Sequence, residues 1–385
     1  MKYQRLYLLI FCLSFLDVNA QHFVIEGKTN GYIPDGSILY LGRWNGMGPM
    51  FFFTSAVIQN GTFRLEGKRE KSPDLIYLYG TEKAIGTLNL RLWVGDDTVR
   101  VSANTKVPAT WIVENSVKEQ QEESYYMQLR NNDILEEVSR INNRLLWDKS
   151  LSSDSAQILS NEMIQIDLPG QIRVLESLHT QEKLTDVGLL WLFYVSGYAS
   201  RITNPDDFRM GKDTYAKLSE KQKQTYYGKI VKKYFYPEKA PDKGDYYIDA
   251  DLADLKGDSC KLTDHLNKGK YVLLDFWDQY CSPCMKSISG LKELRSSCPD
   301  KLDIISINVG NREGWEKGST NFQWESLSDG QGMTGIAARY GVKSIPYFVL
   351  MSPQGRIEKC WRGYAMRHSN MEKEIIEIIG GNNGK

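Results

Sequence analysis

Hydrophobic and polar positions divide the chain into three stretches with different periods. Residues 21–115 carry short runs of alternating character at 37–41, 62–65, 75–79, 89–94 and 98–102. Such runs, separated by turn residues, predict half-buried β-strands. The turns are Pro34-Asp35-Gly36, Asn60-Gly61 and Gly95-Asp96-Asp97. Asn60-Gly61 between the runs 56–59 and 62–65 predicts a tight two-residue hairpin, because both positions tolerate positive φ. Asn60-Gly61-Thr62 also matches a glycosylation acceptor, but the turn already accounts for these residues.

Residues 116–240 change to a helical period. Tyr126, Leu129, Leu135, Val138, Ile141 and Leu145 recur at helical spacing. Asp186 is the expected cap of a helix through the apolar stretch 189–195. That stretch is far shorter than a membrane span and reads as buried core. Asp213 is the expected cap of a further helix, rich in Lys and Tyr, that ends before Pro237. The aromatic residues Trp191, Phe193, Tyr194 and Tyr198 read as a packing stripe, and the charges of 217–233 as a solvated face.

A polar, Pro-punctuated segment at 237–245 leads into the third stretch, 241–385. Its pattern alternates between strand and helix. The near-continuous apolar run 270–277 is that of a central strand covered on both faces. A helix is expected at 287–295, a strand at 302–309, a helix at 333–340, strands at 347–351 and 357–361, and a last helix at 371–379. The fold class is therefore an α/β domain at the C-terminus, preceded by a small all-β domain and a helical segment.

The first twenty residues read as an address. Lys2 and Arg5 precede an apolar run at 6–16, and Val18-Asn19-Ala20 gives a small-x-small cleavage signature. A secretory signal peptide is expected over 1–20, with a mature chain from Gln21. The chain has 48 basic and 48 acidic residues. Removal of Lys2, Arg5 and Asp17 leaves a near-neutral protein, without the basic footprint of a nucleic-acid binder. Six cysteines in 385 residues are too few for a disulfide scaffold. Export implies an oxidising compartment in which thiol chemistry operates.

The sharpest local feature is Cys281-Ser282-Pro283-Cys284, placed between a predicted strand and a predicted helix. The attacking species in disulfide exchange is a thiolate. A cysteine at a helix N-terminus meets unpaired N–H groups and the positive end of the dipole, which favour that thiolate. Cys281 is thus the expected nucleophile, and Cys284, one turn on, the thiol that resolves the mixed disulfide. Pro283 suits the first helical turn, where its missing N–H costs nothing. A zinc half-site is the rival reading, but the chain has no second C-x-x-C and only four His. Haem attachment fails because position 285 is Met. No cofactor or metal is expected.

The segment Leu273-Leu-Asp-Phe-Trp-Asp-Gln-Tyr-Cys-Ser-Pro-Cys284 resembles the active-site segment of thioredoxin-fold oxidoreductases. Tyr340-Gly-Val-Lys-Ser-Ile-Pro-Tyr-Phe-Val-Leu350 resembles the segment that carries that fold's cis-proline, and 351–357 resembles the turn after it. Within the fold, the chain is most similar to the exported TlpA/ResA-like branch of the AhpC/TSA superfamily. The β region resembles the N-terminal extension of Bacteroidetes-type exported proteins. The resemblance implies a thioredoxin-like domain over 241–385, with Cys281 as nucleophile, Cys284 as resolving thiol and Pro346 as the cis-proline. It implies that Ile345 presents its backbone to an extended substrate chain by strand addition. It assigns Asp275 to a buried acid that moves a proton to or from the resolving thiol, with strand-end pairing to a Lys as the alternative. It sets Trp277 and Pro283 beside the substrate.

The chain departs from the family in having Tyr280, where Trp commonly precedes the first Cys. Asp278 and Gln279 add polarity, and Asp278 a negative charge that raises the nucleophile's pKa. Ser-Pro between the cysteines is closer to reducing members than to strong oxidants. Cys260, Cys298 and Cys360 permit any one of three pairings, and Cys360 is expected to act as a small buried hydrophobe. The function expected is an exported thiol–disulfide oxidoreductase, periplasmic or membrane-associated, acting on disulfide-bearing proteins and recharged by a membrane electron donor. Homo-oligomerisation through the N-terminal region is a further expectation, and no nucleic-acid partner is. The rivals are a non-catalytic binding or scaffold protein and a peroxiredoxin-like peroxidase. The latter's P-x-x-x-T-x-x-C context is absent before Cys281.

Overall fold

The structure, a computed structural model, describes residues 22–44, 50–80, 85–95, 97–266, 268–364 and 370–381. The segment 1–20, expected to be a signal peptide, lies outside the described residues. Contacts divide the chain into two units. The first comprises the described residues of Met1–Leu41 and Phe53–Ser124, the second those of Gly42–Phe52 and Tyr125–Lys385.

The N-terminal strands are β1 (His22–Lys28), β2 (Ile38–Arg43), β3 (Phe51–Val57), β4 (Thr62–Lys68), β5 (Asp74–Gly80), β6 (Leu90–Val94), β7 (Val99–Ser102) and β8 (Ile112–Glu114). They form two four-stranded sheets, β4-β1-β7-β8 and β3-β2-β5-β6. Period-two alternation buries Phe23 and Ile25 of β1, Leu39 and Leu41 of β2, and Phe63 and Leu65 of β4 in one core. The Asn60-Gly61 turn forms as expected, with φ of 50° and 67°. Both Asp35 carboxylate oxygens accept from it, one from the Asn60 N–H and one from the Gly61 N–H, each at 2.9 Å. The expected hairpin, however, does not continue into a shared sheet. Only Gln59 and Thr62 pair across the turn, and β3 and β4 diverge into different sheets. Here the turn joins two layers of a sandwich.

The helices that follow are α1 (Lys118–Leu129), α2 (Asn132–Trp147), α3 (Ser153–Thr180), α4 (Asp186–Ser196), α5 (Pro205–Ala216), α6 (Glu220–Gln224) and α7 (Tyr226–Phe235). The period through Tyr126 and Leu145 is split at Asn131, whose φ of 69° breaks the helix and whose side chain caps α2. Thr185, rather than Asp186, caps α4, accepting from the Gly188 N–H. Asp213 caps nothing: it lies inside α5, which Asn204 caps and Pro205 begins. Tyr126 and Trp191 pack with ring centroids 5.8 Å apart, so the aromatic stripe is core. Buried Asp167 of α3 gathers Arg130, Gln171 and Tyr198 around its carboxylate at 2.5–3.0 Å.

The same unit continues into β9 (Asp251–Ala253), β10 (Ser259–Lys261), β11 (Tyr271–Trp277), α8 (Ser282–Ser297), β12 (Leu302–Asn308), α9 (Arg312–Ser319), β13 (Glu325–Leu327), α10 (Ile336–Arg339), β14 (Tyr347–Met351), β15 (Ile357–Arg362) and α11 (Met371–Gly381). Five of these strands form one sheet in the order β13-β12-β11-β14-β15. β11 pairs parallel with β12 and antiparallel with β14. Every residue of β11 is buried, as its unbroken apolar run requires of a central strand. Val272, Leu274 and Phe276 face one core, while Tyr271 and Leu273 face another that Leu291 and Leu294 of α8 and Ile375 of α11 close. Among the described residues, no helix is long and apolar enough to cross a membrane.

Candidate active site at the end of the central strand

Topology brings the candidate residues together. β11 ends at Trp277, and the chain turns through Asp278–Tyr280 into α8. β14 runs antiparallel to β11, with Tyr347 opposite Phe276. The residues just before β14 therefore lie beside the loop that leaves β11. Ile345 and Pro346 occupy that position, and their peptide bond is cis. The Ile345 carbonyl oxygen lies 3.7 Å from Cys281 Sγ.

Cys281 is the N-cap of α8, and Cys284 is in its first turn, with Pro283 at the start of the helix. The two sulfurs form a disulfide. Cys281 Sγ accepts from the Cys284 N–H at 3.2 Å. A side-chain oxygen usually fills this capping role; here the sulfur does, so the same backbone donor stands ready for a Cys281 thiolate. The two thiols are unequal. Cys284 is only 2% exposed, packed with Trp277 and Trp315, whereas Cys281 is partly exposed.

Trp277 is 1% exposed and meets Phe322 edge-on at 4.5 Å. It is therefore a wall behind the disulfide and offers little surface to a substrate. Close approach of α9 fixes it. A Cβ on Gly318 would stand 2.5 Å from the Trp277 ring and 2.4 Å from Gln279 Oε1. Tyr280, in the place where Trp is common, is 45% exposed and forms the outer rim. Asp278, expected to add a negative charge near the nucleophile, is drawn into the interior. Its carboxylate is buried, accepts from the Tyr280 N–H at 2.6 Å, and packs over Gly310. Burial raises its pKa, and the hydrogen bond from the Tyr280 N–H opposes that shift.

Asp275 is 2% exposed on β11. By alternation it lies on the face of Tyr271 and Leu273, the face that α8 covers. Ser306 Oγ donates to Asp275 Oδ2 at 2.8 Å, and Oδ1 has no hydrogen-bond partner. Burial pushes the Asp275 pKa up to about 7, against the smaller opposing effect of Ser306. Among the described residues no lysine pairs with Asp275, so the strand-end pairing is not the arrangement found there. Ser306 also accepts from Trp324 Nε1 at 2.9 Å. These two residues escape a motif-based reading. The signal for Ser306 is a lone polar residue inside the apolar run Ile304-Ile305-Ser306-Ile307.

Cys260, Cys298 and Cys360 are free and partly buried. Burial raises the pKa of the Cys260 and Cys360 thiols, so neither is an activated nucleophile. Among the described residues, no group of three or more His, Cys, Asp or Glu is arranged to hold a metal ion.

Residues 269–357 match the Thioredoxin-like family. The thioredoxin-like protein YneN of Bacillus subtilis is 29% identical over 154 residues, covering 38% of this chain and 86% of YneN. The thiol–disulfide oxidoreductase ResA of Geobacillus thermodenitrificans is 29% identical over 152 residues, covering 38% of this chain and 82% of ResA. The solved thioredoxin domain of a thiol–disulfide oxidoreductase from Bacteroides vulgatus shares 25% identity at a TM-score of 0.32, covering 36% of this chain and 99% of that one. The C-terminal domain is thioredoxin-like.

Proposed function

We propose that this chain is an exported thiol–disulfide oxidoreductase that reduces or exchanges disulfides of protein substrates through Cys281 and Cys284. The observation that carries the reading is the asymmetry of the pair: a partly exposed sulfur at a helix N-terminus, joined to a buried one in the next turn. In the reduced enzyme the Cys281 thiolate attacks one sulfur of a substrate disulfide. A mixed disulfide forms and the other substrate sulfur leaves as a thiolate. Cys284, deprotonated, then attacks Cys281 Sγ. The mixed disulfide breaks, the second substrate thiolate leaves, and the enzyme disulfide forms. The substrate has gained two electrons and the enzyme has lost two, which an external dithiol donor at the membrane restores.

Asp275 serves the second step. A buried carboxyl whose pKa is pushed up to about 7 is suited to take the Cys284 proton near neutral pH. The Ile345 carbonyl beside Cys281 supports docking of an extended substrate strand against the residues that precede β14. The signal-like segment 1–20 supports export to the periplasm.

The test is the reduction potential of the Cys281–Cys284 couple in the full mature chain, with Cys281→Ser as control. A value near about −270 mV supports a reductase, and one near about −120 mV an oxidant. The absence of a reversible two-electron couple overturns the enzymatic reading in favour of a scaffold. N-terminal sequencing of the protein from a periplasmic fraction tests export, which predicts a start near Gln21.

A further inference from the structure

We propose that the cavity between α7 and α10 is a binding site for a small phosphate-bearing anion. The cavity holds about 220 Å³. Lys229, Lys232 and Lys233 of α7 line one side at helical spacing, and Arg339 and Lys343 line the other. Glu238 is the one carboxylate in its lining. Lys232, Arg339 and Lys343 are exposed at its rim, where Arg339 also donates to the Asp249 carbonyl at 2.7 Å, while Lys229 and Lys233 are half-buried, so the lining carries an excess of positive charge that favours an anion.

The sequence places Lys233 on a solvated face; the structure does not. Its ammonium turns inward and donates to the Met333 carbonyl at 2.9 Å. A single neutral acceptor leaves a desolvated ammonium poorly compensated. Burial, and secondarily the nearby Lys343, lower its pKa to about 8. No carboxylate contributes to that shift. An anion in the cavity would accept the remaining donors of Lys233 and answer Lys343 at once. Several lysines with no fixed planar partner suit a compact multivalent oxyanion better than a planar carboxylate. Lys343 is two residues before Ile345, so the cavity lies at the base of the loop that meets Cys281.

The experiment uses the full mature chain and inorganic pyrophosphate as probe. Melting is followed against pyrophosphate and against sodium chloride of matched ionic strength. The expected result is a saturable rise of about 2–4 °C with pyrophosphate only. Lys233→Met and Lys343→Ala are each expected to weaken the response at least tenfold in concentration. Lys233→Met without added anion is expected to melt no lower than the parent, since it removes an uncompensated charge. A lost response is then distinct from unfolding.

A second arm identifies the source of the phosphate. Cosedimentation with phosphatidylcholine vesicles containing phosphatidic acid, lost in Lys343→Ala, assigns the site to lipid headgroups. Pyrophosphate binding without cosedimentation assigns it to soluble phosphates. A pyrophosphate response no greater than that of salt, or one unchanged in both variants, overturns the proposal.

Discussion

Asp275 and Ser306 stand directly opposite one another across the parallel pairing of β11 and β12, and the serine hydroxyl donates to the carboxylate at 2.8 Å. The serine's acceptor side is filled by Trp324 Nε1. Its proton is therefore committed to Asp275. The pair is a buried polar contact between two neighbouring central strands of the sheet.

Asp275→Asn tests the acid by stability. The folded-state pKa of about 7 stands above the ordinary 3.8. Between those values the folded chain keeps a proton that the unfolded chain has released. Stability from this group is therefore full below about pH 4 and is lost as pH rises to about 7. The loss is on the order of 4 kcal/mol. The asparagine variant should lack that slope. Urea midpoints of the oxidised protein at pH 4.5 and pH 8 measure it; parallel slopes in both proteins would refute the assignment.

Ser306→Ala removes the donor that favours the carboxylate. The Asp275 pKa should rise further, extending the same stability slope to higher pH. Trp324 also loses its acceptor, at a cost of about 1–3 kcal/mol. A carboxyl titration of labelled Asp275 by NMR reads the shift directly, and an unchanged midpoint counts against the coupling.

Cys284→Ser leaves the nucleophile without its resolving thiol. The variant should accumulate a mixed disulfide with a reducible protein such as insulin, and Cys281→Ser should form none. Mass spectrometry of the acid-quenched reaction separates the two. Equal trapping by both variants would contradict the division of roles drawn from their burial.

Gly318→Ala forces a Cβ against the Trp277 ring and Gln279. The ring is held against Phe322 and cannot retreat. Overpacking of this kind costs about 1–3 kcal/mol, against a helix-propensity gain of about 1. Net destabilisation is expected, together with slower turnover, because the ring backs the disulfide. A higher melting temperature would show that the ring yields.

The catalytic sheet was the most legible part of the chain. The strand expected at 347–351 is found at Tyr347–Met351, because an unbroken apolar run in a doubly covered strand leaves no other register. Cys281, Cys284, Ile345 and Pro346 came from local motifs, and topology unites them. Less legible was whatever depended on distant partners. Asp278 reads as a charge beside the nucleophile, and nothing local shows that Gly310, more than thirty residues on, admits it to the interior. Lys233 sits in a helical charge pattern, and only its packing near Met333 turns it partly out of solvent. Asp213 resembled a cap, yet Asn204-Pro205 upstream is the stronger start signal. The 28-residue α3 was not anticipated, since its apolar positions are diluted and Pro169 interrupts it.

The two hydrogen bonds from the Asn60-Gly61 turn to Asp35 have a practical consequence for anyone re-engineering this chain. Tight turns are usual sites for tags, reporter domains or new termini, because lengthening them leaves the flanking ladder intact. This one leaves no ladder to absorb the change, since the chain crosses there from one layer to the other. An inserted sequence at 60–61 would pry the layers apart, and a graft belongs elsewhere.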